Sequence, residues 1–247
     1  MGSVCSALLF SNSAADELCF NSWFREECSL VCHLSTGTDV AKLKRSPSST
    51  IIEDLEDLRR AGLASLAYYY FDFKDSGKQD LRGLLSSLLV QLSARSDASC
   101  EILNRLYSDH EKGSRQPGEG HLIQCLTEVL AAQEGEVYII IDAVDECPNN
   151  YGMPTSREKV LALLKELISL QFPHVHFCIT SRPEIDIHTG LEPLASHIVS
   201  LHDEGGQRKD IIDYINSVIE SDPKTRRWRE EDKQLVINTL ARKANGM

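Results

Sequence analysis

Val137 to Asn149 reads VYIIIDAVDECPN, and its first five residues are apolar and mostly β-branched or aromatic. Such a run fits a strand buried on both faces, as in parallel sheets. It ends on Asp142, with Asp145 and Glu146 close behind. A buried strand that delivers carboxylates to its C-terminal edge can present them to a metal–phosphate group. In that role Asp142 would hold Mg²⁺ through water, and Asp145 or Glu146 would orient an attacking water. A core strand running into an acidic, helix-capping loop fits the same residues equally well.

The chain has 247 residues, enough for one large α/β domain or two small ones. A net charge of −11 with no basic stripe excludes a general nucleic-acid binder. No apolar run approaches the ~20 residues that a membrane helix requires. No positive charge precedes the short apolar segment near the N-terminus, so it is not expected to be a secretory signal. The eight cysteines are scattered, which suits reduced thiols and an intracellular, cytoplasmic protein better than a disulfide framework.

Residues 1–47 differ from the rest. Cys5, Cys19, Cys28, Cys32 and His33 fall here without a recurrent zinc spacing. The opening MGSVCS matches the myristoylation pattern at Gly2, and Cys5 could take a second acyl chain. Membrane attachment is expected only if Gly2 and Cys5 are acylated. SLVCHL, Ser29 to Leu34, is the one good strand candidate in this region. Ser46 and Pro47 then start a helix that carries IIEDLEDLRR.

From there strands and helices alternate. Leu63–Phe73, Val137–Asp142, His174–Thr180 and His197–Leu201 read as strands. Helices are predicted at Leu81–Leu92, Glu101–His110, His121–Gln133, Ser156–Leu170, Gln207–Ser221 and Glu230–Ala244. Alternation of this kind predicts an α/β fold, a parallel sheet with helices on both faces. TSRP, Thr180 to Pro183, closes one buried strand at the edge that also carries Asp142. Arg182 there is placed to meet a terminal phosphate, or to pair with Asp145 or Glu146 when none is present.

YYYFDF, Gln79, VYIIIDAVDECPN, REKVL, CITSRPEIDI and the closing DIIDYINSVIESD…RRWREEDKQLV…KANGM together resemble the NACHT module of fungal NLR-like proteins. That module is also grouped as the nephrocystin-type N-terminal domain. The resemblance runs from about Ser48 to Met247. It implies a three-layer P-loop NTPase-type sheet followed by a small helical part that begins with helices 207–245. It also implies a STAND-class switch that binds ATP or ADP with Mg²⁺ and signals through protein partners or self-association. By position Asp142 would be the Walker B magnesium residue and Asp145 and Glu146 the acidic pair after it. Arg182 would be the sensor arginine, and Lys44 stands near the place of the phosphate-binding lysine.

The departure lies in the phosphate loop. A P-loop needs G-x-x-x-x-G-K-[ST], so that backbone N–H groups can wrap phosphates. Here the stretch is DVAKLKRSP, Arg45 follows Lys44, and no glycine lies between Gly37 and Gly62. The mismatch is contiguous up to Ser48, as a changed exon boundary or reading frame would leave it. Two functions are therefore expected. One is a nucleotide switch module defective in hydrolysis. The other is a non-catalytic scaffold or truncated gene product that acts only through protein contacts. Sheets of this class also need a strand between the Arg182 strand and the last one, and Ser29–Leu34 is predicted to fill it.

Overall fold

A computed structural model describes residues 6–10, 47–94, 96–149, 154–200 and 205–244. These hold five strands, β1 (Ser6–Phe10), β2 (Ala64–Tyr70), β3 (Glu136–Asp142), β4 (Val175–Ser181) and β5 (His197–Ser200). The described α-helices are α1 (Pro47–Arg60), α2 (Leu81–Ser93), α3 (Asp97–Asp109), α4 (Glu119–Ala131), α5 (Ser156–Ser169), α6 (Ile185–Leu191), α7 (Gly205–Ser221) and α8 (Glu230–Ala244).

The strands form one sheet in the order β2-β3-β4-β1-β5. β2, β3 and β4 run parallel, with Tyr70 opposite Asp142 and Ile141 opposite Ile179. β1 is antiparallel to both β4 and β5, so β5 points the same way as β4. The four strands expected to be parallel are parallel, and β1 makes the sheet mixed.

β1 corrects one expectation. The position between β4 and β5 belongs to Ser6–Phe10, whereas Ser29–Leu34 lies outside the described residues. Physical chemistry favours SALLF there. Ala7 and Leu9 pack on one face, Leu8 and Phe10 on the other, and all four are buried. SLVCHL would have had to bury His33 between two covered faces, a cost that needs a partner.

The two faces alternate along every strand, as the pleat requires. On one face Ala67, Tyr69, Ile139, Ile141, Phe177 and Ile179 join the large core made with α2, α4 and α5. On the other, Leu66, Ile140 and Cys178 meet Ile51, Ile52 and Leu55 of α1. α7 and α8 share a third cluster of Ile215, Ile219 and Ile237.

Helix ends follow local chemistry. Asp80 caps α2 by accepting from the Gly83 N–H, and Ser96 caps α3 through the Ser99 N–H. The second cap starts α3 four residues before the Glu101 expected from apolar spacing. α5 is capped by Thr155 in a reciprocal box with Glu158, and Ser156 is its first helical residue. α6 was not foreseen, because seven residues carry too little periodicity to separate helix from loop.

Candidate functional site

The parallel order of β3 and β4 brings their C-terminal ends to one edge of the sheet, with Asp142 beside Thr180 and Arg182 two residues on. The chain turns sharply after β3. Ala143 is left-handed at φ 57 and ψ 48, and Val144–Glu146 then form a single 3₁₀ turn. A non-glycine residue there costs energy, which the surroundings must offset. The Ala143 N–H donates to Thr180 Oγ1 at 3.1 Å, and the Glu146 N–H donates to the Ala143 carbonyl at 2.8 Å.

Two hydroxyls meet on one oxygen of Asp142. Ser48 Oγ, in the first turn of α1, donates to Asp142 Oδ1 at 2.6 Å. Thr180 Oγ1 donates to the same oxygen. Asp142 is half-buried, and its second oxygen makes no bond to any described residue. A carboxylate held through one oxygen, with the other unbonded among the described residues, suits a hard cation such as Mg²⁺, which takes one or two protein carboxylates and completes its shell with phosphate and water. Among the described residues no group of three or more His, Cys, Asp or Glu could hold a metal by itself.

Asp145 is bound to Arg182. Its Oδ1 accepts the Arg182 N–H at 2.9 Å, and its Oδ2 lies 3.4 Å from Arg182 Nε. Asp145 is 8% exposed on its side chain and Arg182 57%, so the carboxylate is fixed and the guanidinium remains within reach of solvent. Glu146 turns towards the loop after β2, where its Oε2 accepts the Phe73 N–H at 3.2 Å. Lys44 lies outside the described residues.

Arg157 ties this acidic turn to α5. It donates from Nε to the Cys147 carbonyl at 3.0 Å and from Nη2 to the Asp145 carbonyl. Its Nη1 lies 3.4 Å from Asp186 Oδ2 on α6. Ser48, Thr180 and Arg157 were not singled out from sequence as site residues. TSRP and REKVL drew attention to the right stretches. Ser48, however, reads as an ordinary residue of a helix's first turn, and nothing local signals a bond to a strand 94 positions away.

The sequence model of the family described as nephrocystin 3, N-terminal, matches residues 16–182. This span exceeds half of the chain. The chain belongs to that family. The match begins well before Ser48, where the motif resemblance starts, and ends on Arg182 itself, short of α7 and α8. No curated protein and no solved structure matches the chain.

In this family member the site's apolar flank carries two groups that resist ionisation. Burial pushes the Cys147 thiol up to about 12, with Arg157 opposing and Asp80 reinforcing the shift. Burial, helped by Asp80, likewise raises the Tyr69 hydroxyl to about 12. The unfolded groups ionise near 9.0 and 10.0, so their contribution to stability is complete below pH 9 and lost as pH rises towards 12. The stability lost by pH 10 is expected to be on the order of 1–2 kcal/mol. Urea midpoints at pH 8 and pH 10 should show it, and the decline should shrink in Cys147→Ala.

Proposed function

We propose that this chain is a nucleotide-binding switch module of the NACHT or STAND kind, defective in ATP hydrolysis and acting through protein partners or self-association. The observation that carries the reading is Asp142. Its Oδ1 is fixed by the Ser48 and Thr180 hydroxyls and its other oxygen bonds no described residue, near Arg182 at one sheet edge. Bound Mg²⁺ would neutralise phosphate charge and be held by Asp142. Arg182 would exchange Asp145 for the terminal phosphate, so that the Asp145–Arg182 pair marks the phosphate-free state. Within this reading the protein works inside the cell, and Gly2 and Cys5 attach it to a membrane only if acylated.

Hydrolysis is a different matter. Phosphoryl transfer depends on positioned donors, and DVAKLKRSP lacks the glycines that let backbone N–H groups approach a pyrophosphate. Calorimetry with Mg·ATP is expected to show weak binding, reduced about tenfold in Asp142→Ala, a loss of ~1.4 kcal/mol. Turnover should stay far below ~1 per second. Turnover at that rate, lost in Asp142→Ala, would restore an active NTPase. No binding of ATP or ADP at all would favour the scaffold reading, which the closed Asp145–Arg182 pair already suits.

A further inference from the structure

Among the described residues β2 lies at the edge of the sheet, paired with β3 alone. Its register with β3 is unbroken from Ala64 to Tyr70, so no bulge turns the edge away. Its sequence, ASLAYYY, holds no charge and no proline. Edge strands present a row of unpaired N–H and C=O groups, and proteins guard them with lysine, proline, bulges or a cover. An uncharged, β-prone segment without these devices is the kind that pairs with its like.

The Phe71 N–H donates to the Asp142 carbonyl, so odd-numbered residues of β2 direct their peptide groups at β3. Leu66 and Tyr68 direct theirs outward. At Tyr68 a single side chain takes both outward groups. The Tyr68 N–H donates to Gln91 Oε1 at 3.1 Å, and Gln91 Nε2 donates to the Tyr68 carbonyl at 2.8 Å. A carboxamide carries the same donor and acceptor as a peptide group, so Gln91 stands where the next strand's peptide would lie. Ser87, one turn earlier on α2, steadies it by accepting from Nε2 at Oγ, 3.0 Å away.

We propose that Gln91 is an edge guard, which keeps β2 from pairing with β2 of a second copy of this chain. Two copies related by a two-fold axis would bring their outward peptide groups together in antiparallel register, a self-complementary contact. A trough of about 600 Å³ runs beside Leu63, Leu66, Ser96 and Gln133, next to Gln91. Self-association of the intact module must then use a surface other than this edge.

The test uses Gln91→Ala and Gln91→Lys in the full chain, by sedimentation equilibrium over a concentration series. Alanine keeps the helix and removes both bonds, so its mass should climb with concentration towards about twice that of the wild type. The lysine variant should match the wild type, because an edge lysine also repels a second strand. Hydrogen exchange over residues 64–70 should speed up in the dilute alanine variant and slow again as it associates. The proposal is overturned if the alanine variant keeps wild-type mass throughout, or if the lysine variant associates as far. If the alanine variant precipitates, adding Tyr68→Lys decides. Restored solubility supports the guard, and unchanged precipitation refutes it.

Discussion

Leu8→Pro is expected to leave the chain without a cooperative thermal transition. β1 is an inner strand, hydrogen-bonded to β4 on one side and β5 on the other. Whichever way the residue 8 peptide faces, its N–H serves a ladder, and proline has none to give. The stranded acceptor costs ~1–3 kcal/mol. Losing the Leu8 side chain, 1% exposed in the main core, costs a further ~2–5 kcal/mol on the scale of leucine truncations. A domain of this kind has only ~5–15 kcal/mol in all. Circular dichroism melts of wild type, Leu8→Ala and Leu8→Pro check it. The alanine variant should still melt cooperatively, roughly 10 °C lower. A proline variant that melts within a few degrees of wild type would show that Ser6–Phe10 is not a sheet strand.

Arg157→Ala should be the most damaging single change outside the sheet. The side chain is 10% exposed and its guanidinium reaches two carbonyls of the acidic turn and a carboxylate of α6. Truncation strands those acceptors, one of them on the fully buried Cys147. The expected loss is about 3 kcal/mol, or roughly 10 °C in Tm. It should also loosen Asp145, whose carbonyl Arg157 holds while Arg182 holds its side chain. Arg157→Lys keeps the charge but not the fork, and one ammonium does not replace three guanidinium nitrogens. Thermal melts of both variants, with Arg182→Ala as an exposed control, separate the burial effect from simple loss of charge. A control melting as low as Arg157→Ala would contradict the assignment.

What could be read in the sequence was whatever local pattern dictates. VYIIID announced a doubly buried strand because nothing in it tolerates water, and its end on Asp142 fixed the edge where acids collect. Helices α2, α5 and α8 were legible from apolar spacing, and the parallel run of β2, β3 and β4 from the alternation of elements. Long-range partnerships were not legible. SALLF is too short to outrank SLVCHL as a strand on propensity, and only the packing of Ala7, Leu8, Leu9 and Phe10 on two faces distinguishes it. Ser48 and Thr180 meet on Asp142 across separations that no periodicity encodes. Nothing local marks Arg157 as buried, because the carbonyls it binds belong to a turn at least ten positions upstream.

The place of β1 sets a timetable for synthesis. Its residues leave the ribosome well before their partners, since Phe10 pairs with Phe177 and Leu9 with His197. At ~5–20 residues per second, roughly ten to thirty seconds pass before β4 has been made. Throughout that interval SALLF is an apolar segment with no berth. β2 and β3, with α2 to α4 between them, can dock in order as they emerge. The sheet stays split at its fourth position until β4 and β5 have been made, and the strand that closes it was synthesised long before either. A nascent chain stalled before β4 would therefore carry its own closing strand exposed, a natural handle for a chaperone that binds short apolar stretches.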